Sequence, residues 1–410
     1  MTIRSGEIAR SRAALMVALS VDNFGSGLFL PLSLVYATQV VGLPVAQAGV
    51  AMTVGTMAGL VVPAVSAAIV DRVGARAVVV AGQLVQLAGS VTYLLAHGVV
   101  LVAVGAAMRS AGLQLFYSSM FTLITEVAGD RSTDRTFTVV GAVRGAAFGI
   151  GALAVGALLT GLGPTAYTLA IGIDATTYVV AAVLLLCWLP TPAPRRAAMD
   201  AATREVRPRA SRVLRDPPYL GLIVVTTLFA LDTDFFLVGF PVYAFDILHT
   251  PAWVPGAALA LLTALGSAAA TLALRMTRRL SRTTAMVFAA VIVVGWCLAG
   301  AAALVLPAGV RPAYLLGCTL LLVAANLVRA GRVNALAESA APPEAKGRYL
   351  AAFQYAFTIA GVLAPAVVAL FAVAAWLPWM VIAAGAVLGI PLLHWITRHL
   401  HTGCAEPRPA

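Results

Sequence analysis

Positions 23–70 contain no aspartate, glutamate, lysine or arginine. A membrane-spanning helix needs ~20 mostly apolar residues, so this one gap holds two crossings and a short turn. Positions 349–397 form a second gap of the same kind, and 77–108 and 283–310 are shorter examples. Only helices and closed barrels satisfy their backbone polar groups inside lipid. The apolar runs here are continuous rather than alternating, which selects helices. The composition agrees: 61% of residues are hydrophobic, 10% are charged, and the mean hydropathy is +0.95. Soluble domains sit near ~45–50% apolar and ~25% charged. A cytosolic enzyme, a secreted disulfide scaffold, a disordered chain and a single-span anchor with a globular head are all excluded.

Charge gaps and turn residues predict twelve spans, at 12–38, 45–70, 76–96, 99–126, 136–160, 166–189, 218–247, 253–274, 283–306, 312–336, 348–373 and 376–397. The fold class is an all-α membrane protein of two six-helix bundles related by a pseudo-twofold axis along the membrane normal. Residues 1–189 form the first bundle and 218–410 the second, which ends in a short cytoplasmic tail. Residues 190–217 form a cytoplasmic linker that contains Pro190, Pro192 and Pro194 and seven arginines. The basic residues are 26 arginines and Lys346; 22 of these 27 fall on the side of the termini and one, Arg311, on the other. This asymmetry orients both termini to the cytoplasm. It also accounts for the net charge of +11 through lipid headgroups and topology, leaving no need for nucleic acid. Trp253, Trp376 and Trp379 are expected at the outer interface, and Trp188 and Trp395 at the inner one. Arg4, Arg10 and Arg12 precede an apolar run too long for a signal peptide, and so an uncleaved first span is expected. The four cysteines and five histidines show no metal-ligand spacing, and the three cysteines in apolar runs, Cys187, Cys297 and Cys318, read as small buried hydrophobes.

An internal repeat supports the division. Asp22 lies nine residues before Pro31 and Asp232 nine before Pro241, an offset of 210. Shifted by the same amount, the Asp71–Arg76 loop lands beside the basic run Arg278–Arg282. Glu126 and Glu338, and Gly149 and Gly361, stand at an offset of 212. Parallel repeats of this kind are one transporter plan.

The segment Asp71-Arg72-Val73-Gly74-Ala75-Arg76 resembles the signature loop of the major facilitator superfamily, with Asp71, Arg72, Gly74 and Arg76 on its matching positions and Ala67 and Ala75 departing from it. The stretch Pro342–Arg348 and Arg109 in span four are similar to that superfamily's features as well. Within the superfamily the chain looks most like the twelve-span exporters that exchange protons for drugs or metabolites, the Asp22-Asn23 pair carrying the likeness. The proline that often follows the glycines of span five is absent after Gly141, Gly145 and Gly149. The resemblance implies that Asp71 sits at the start of a neighbouring inner helix, where the dipole favours a carboxylate. Arg72 and Arg76 would pair with acids there, closing a latch in the outward-open state.

A charge at the bilayer centre costs ~2.5–3.5 kcal/mol on insertion scales, so each ionisable residue in a span needs a partner, a cavity or a task. At 1.5 Å per residue, Asp22 and Arg109 both lie near the midplane. They are expected together, Asp22 carrying a proton and Arg109 as its charged neighbour. Burial disfavours a carboxylate's charge and a nearby guanidinium favours it, a balance through which Asp22 loads and releases its proton. Asp232 and Asp234 differ by two positions and therefore diverge on the helix. The repeat favours Asp232 as the counterpart of Asp22, one of the two reaching the cavity and the other pairing with a neighbouring helix. Asp174 reads as a packing or helix-pairing residue. Arg144, Arg329 and Arg332, with Glu126 and Glu338, are expected as inner-gate charges that pair when that side closes.

Asn23, Phe24, Phe29, Gln114, Tyr117, Phe236, Phe240, Tyr243, Asn326, Gln354 and Tyr355 are the candidate cavity lining, joined by Phe116, Phe235, Phe353 and Phe357. A mostly apolar wall with a few polar groups suits small amphipathic compounds. A Walker-type loop is impossible because the sole lysine is Lys346, so no nucleotide or other cofactor is called for and an ion gradient, protons first, supplies the energy. No serine–histidine, metal or paired-carboxylate constellation speaks for an enzyme. The leading expectation is a monomeric, proton-coupled exporter of amphipathic compounds in the bacterial cytoplasmic (inner) membrane, in contact with membrane lipids. The rivals are a nutrient importer or facilitator of the same fold, and a non-transporting receptor or lipid scramblase.

Overall fold

The computed structural model describes residues 5–128, 133–189, 213, 215–269, 280–329, 332–342 and 346–399. Among them there is no β-strand. Twelve helical segments follow in order: α1 (Ser5–Phe29, extended by Leu30–Leu32 and Ser33–Gln39), α2 (Val45–Thr56, then Met57–Leu60 and Val62–Val73), α3 (Ala75–Leu94), α4 (Val99–Ala128), α5 (Thr133–Leu162) and α6 (Thr165–Trp188). After the linker come α7 (Pro217–Val242, then Tyr243–Ile247), α8 (Trp253–Ala268), α9 (Arg282–Ala302), α10 (Arg311–Arg329 with Arg332–Ala340), α11 (Lys346–Ala369) and α12 (Leu377–His399). Ten of these are long and apolar enough to cross a membrane; Val45–Leu60 and Trp253–Gly266 are shorter apolar helices where the second and eighth spans are expected. The chain is a multi-pass integral membrane protein. Most of the linker, residues 190–212, lies outside the described residues.

Local chemistry sets the ends. Asp216 caps α7 by accepting from the Tyr219 amide at 3.1 Å, and Pro217 occupies the first helical position, where no amide is needed. Ser281 caps α9 through the Thr284 amide at 3.0 Å. Gly74, at φ +88°, reverses the chain between α2 and α3 in a conformation that side chains with a Cβ resist. Pro31 and Pro241 break their helices at matching registers. A 3₁₀ turn, Leu30–Leu32, holds Pro31, and a π-helical turn, Tyr243–Ile247, follows Pro241.

The repeat is visible in the packing. In the first half α1 packs on α5 and α6, α3 on α4 and α6, and α2 on α4. In the second half α7 packs on α11 and α12, α9 on α10 and α12, and α8 on α10. Adding six to each label of the first set gives the second. Between the halves, α5 meets α8 and α2 meets α11, again a symmetric pair.

Lipid offers helices no hydrophobic gain from association, so close packing and polar contacts hold them. The second half has an aromatic centre. Trp379 meets Phe235 at 5.2 Å, Trp296 at 5.1 Å and Tyr243 at 5.0 Å between ring centroids, all edge to face. Trp379 is therefore fully buried, not at the interface expected for it. Trp253, Trp376, Trp188 and Trp395 are exposed, as an interfacial belt requires. Phe236, Phe240 and Tyr243 also belong to this centre and are buried; the expectation that they line the cavity is corrected. Their helix turns them toward α9 and α12 of their own half.

Candidate functional site

An ion pair lies inside each bundle. Arg109 of α4 binds Asp174 of α6 at 2.6 Å. Its guanidinium also donates to Ser90 of α3 and, at 3.0 Å, to the Tyr178 hydroxyl, and it lies 3.4 Å over the Phe29 ring of α1. Ser90 donates to the same Asp174 oxygen at 2.8 Å. Four helices thus converge on one arginine. Arg329 of α10 holds Asp232 of α7 with two bonds, at 2.7 and 2.5 Å. It also donates to Thr233 at 2.9 Å, to Asn326 at 3.0 Å and to the Phe229 carbonyl.

These contacts correct several expectations. Arg109 neutralises Asp174, not Asp22. Residue counting gives the height of a side chain in the bilayer but not the face of the helix that carries it. Phe29 is the floor under Arg109, not cavity wall. Arg329 is a deep ion-pair partner and not an inner-gate charge, and Asn326 is spent on it. Asp232 is not equivalent to Asp22, because its charge is closed by an arginine.

Asp22 is 5% exposed, and among the described residues its hydrogen-bond partners are amides. Gln83 of α3 donates at 3.0 Å and Asn23 at 3.4 Å. Asn23 also donates to the Leu19 carbonyl at 2.8 Å, which holds it along α1, away from any cavity. The charges that reach Asp22 through space are Arg144, Asp174 and Arg109. Asp22 therefore sits within the first bundle, not in an open vestibule. Asp234 differs: it is half-buried, and among the described residues it makes no hydrogen bond and no ion pair. A Cβ built on Gly361 of α11 would lie 3.9 Å from its carboxylate. Asp232 and Arg329 are its charged neighbours.

Arg144 of α5 rests against the rings of Phe116 and Tyr117 of α4, 5.6 and 5.1 Å from their centroids. It donates to the Tyr117 hydroxyl at 3.0 Å and to the Met120 sulfur at 3.3 Å. Three residues before Tyr117, Gln114 donates to Thr358 of α11 at 3.2 Å, bridging the halves. Gln354 is exposed and Tyr355 half-buried on α11. Phe24 lines an apolar groove of about 420 Å³ with Leu28, Ala154, Leu158 and Ile173. That groove is built by α1, α5 and α6 alone, on the flank of the first half.

The halves touch mainly at the end remote from the termini. There Gln39 and Thr38 of α1 donate to Asp246, at 2.5 and 3.2 Å, an acid that sequence reasoning did not single out. Gly49 of α2 meets the Pro365 carbonyl and Ala369 of α11, Gly256 of α8 meets the Ala152 carbonyl and Gly156 of α5, and Gly149 of α5 meets Thr263 of α8. Toward the termini, a Cβ at Gly141 of α5 or Gly266 of α8 would meet nothing within 4 Å. At those two positions α5 and α8 present open faces, unlike the contacts at Gly149 and Gly256.

The gating loop is only partly described. Arg76 donates to the Leu186 carbonyl of α6, Arg72 is exposed, and the side chains of Asp71 and Glu126 lie outside the described residues. Arg332 donates to the Val328 carbonyl at 2.5 Å; Glu338 is exposed at the end of α10. Cys187 is exposed and Cys297 and Cys318 are buried, all as free thiols; Cys404 lies outside the described residues. Among the described residues no cluster of histidine, cysteine and acids is placed to hold a metal.

The family model of the Major Facilitator Superfamily matches residues 15–365. The chain resembles the crystal structure of the nucleoside transporter NupG, with a TM-score of 0.75 at 12% identity over 94% of this chain and 98% of that one. It resembles a bacterial homologue of the iron transporter ferroportin in an inward-facing state, with a TM-score of 0.74 at 15% identity over 95% and 99%. A structure of proton dependent oligopeptide transporters gives 0.72 at 13% identity over 95% and 99%. No curated sequence matches the chain. The chain belongs to the Major Facilitator Superfamily and has the twelve-helix fold of its transporters.

Proposed function

We propose that this member of the Major Facilitator Superfamily exports small amphipathic compounds in exchange for protons, with Asp234 as the carboxylate that takes up and releases the proton. The observation that supports it is Asp234: a half-buried carboxylate midway along α7 with no cation in contact, beside a glycine that leaves room for a ligand. The fixed pairs Arg109–Asp174 and Arg329–Asp232 hold helices together; Asp234, with no ion pair among the described residues, is the carboxylate free to exchange a proton. With the orientation set by the arginine bias, the termini are cytoplasmic, the contacts at the far end close the outer side, and the cleft opens inward. Alternating access then requires the Gln39–Asp246 and Gly256–Ala152 contacts to break. The chain acts as a monomer in a bacterial cytoplasmic membrane.

The test is reconstitution in liposomes with internal pH recorded while amphipathic cationic, neutral and anionic compounds are added. Export by exchange predicts proton movement opposite to the substrate, reduced at least tenfold in Asp234→Asn while counterflow of a neutral substrate persists. Proton movement in the same direction as the substrate would instead indicate uptake. Substrate movement with no proton movement, or full coupling in Asp234→Asn, refutes the assignment.

A further inference from the structure

Resting on the transport reading above, the geometry points to an amphoteric substrate, whose acidic end sits on Arg144 and whose ammonium end replaces the proton on Asp234. Arg144 is an incomplete ion site. A guanidinium carries five N–H donors. Here one meets a good acceptor, the Tyr117 hydroxyl, and another a thioether, which accepts weakly. Its Nε is buried with no acceptor. Among the described residues no carboxylate touches Arg144, and Asp22 acts on it only through space. Arg109 and Arg329, by contrast, each hold a carboxylate. The Phe116 and Tyr117 rings hold the guanidinium by cation–π contact, 5.6 and 5.1 Å from their centroids. Tyr117 is 37% exposed, so the platform is open. A carboxylate arriving there supplies the missing acceptors in the two-pronged geometry a guanidinium favours.

Asp234 is the complementary half. It is the carboxylate of α7 left over when Arg329 takes Asp232, and it lies on the other bundle. The two sites share one wall. Arg144 touches Tyr117; Gln114, three residues away on α4, bonds Thr358; Gly361, three residues on along α11, faces Asp234. Residues three apart on a helix are neighbours on one face, so a continuous run of touching side chains links the two charges across the halves. An extended tetrapeptide reaches about 14 Å and carries an amine and an acid at opposite ends, which makes it a suitable probe of such a pair of sites. At Asp234, one carboxylate holds either a proton or the substrate's ammonium. Binding of the ammonium releases one proton, and no bond beyond that O–H is broken.

The experiment uses the full chain in liposomes and three forms of one apolar tetrapeptide of alternating alanine and leucine: the free peptide, its C-terminal amide and its N-acetyl derivative. The ratio of free-peptide to amide uptake is expected to fall at least tenfold in Arg144→Gln and to stay within threefold of wild type in Arg144→Lys. The ratio of free-peptide to N-acetyl uptake is expected to fall at least tenfold in Asp234→Asn. Each variant is included only with a wild-type elution profile and melting temperature in detergent. Ratios that do not change in Arg144→Gln or Asp234→Asn overturn the assignment. So does failure of the free peptide to move while an amphipathic cation drives proton exchange; the transport reading then survives. If no compound of any charge moves, both fall.

Discussion

Removing the acid of the Arg109–Asp174 pair isolates its structural worth. Asp174→Ala deletes the one carboxylate on a guanidinium whose side chain is 13% exposed. Breaking a buried pair from one side costs about 3–5 kcal/mol, because an uncompensated charge stays behind. Here Ser90 and Tyr178 remain as neutral acceptors, and the Phe29 ring remains beneath the cation, a contact worth about 0.5–2 kcal/mol. The loss should therefore fall at the lower end, about 3 kcal/mol, or roughly a hundredfold in the folding equilibrium. Replacing both partners by apolar residues of similar size, Arg109→Met with Asp174→Leu, removes the stranded charge and should recover most of that loss. Stability is read as the denaturant midpoint of the purified protein in micelles, for the single and the double variant. A single variant as stable as wild type, or a double variant no better than the single, refutes the view that this pair exists to close a charge.

Gly300→Ala puts a Cβ about 2.6 Å from two atoms of the Trp379 ring and should cost about 1–3 kcal/mol by overpacking, seen as a lowered melting temperature. Gly256→Leu drives a side chain into the Ala152 carbonyl; it should prop the far end apart and cut transport at least tenfold, with no change in expression or elution. Asp246→Ala removes the acceptor of Gln39 and Thr38. Spin labels at Val40 and Leu248 should then show an added longer distance, and an unchanged distribution would exclude a latch at that point.

The spans were legible because helix ends in lipid are announced by charge and by turn residues. Every described helix starts or stops within a few residues of a boundary drawn from the arginines, prolines and glycines. The matching breaks at Pro31 and Pro241 were legible for the same reason, since proline acts on its own backbone whatever surrounds it. The pairing of charges was not legible. Asp22, Arg109 and Asp174 lie at heights that permit either partner, and rotation about the helix axis decides between them. An error of one residue turns a side chain by about 100°, which is enough to exchange one charged partner for another. Phe236, Phe240 and Tyr243 illustrate the same limit: aromatic residues at mid-depth serve a cleft or a bundle centre equally well on paper. Asp174 and Tyr178, four apart on one face of α6, were the available sign of a polar cluster inside the first half.

The close meeting of Gly49, Gly256 and Gly149 with backbone and small side chains of the opposite half has an electrical consequence. A junction made of main chain against main chain leaves no room for a file of water molecules, and without such a file hydronium has no route across. The membrane voltage can then drop over that thin insulating layer without being dissipated, so the protein can stand idle in an energised membrane and draw no current until cargo arrives.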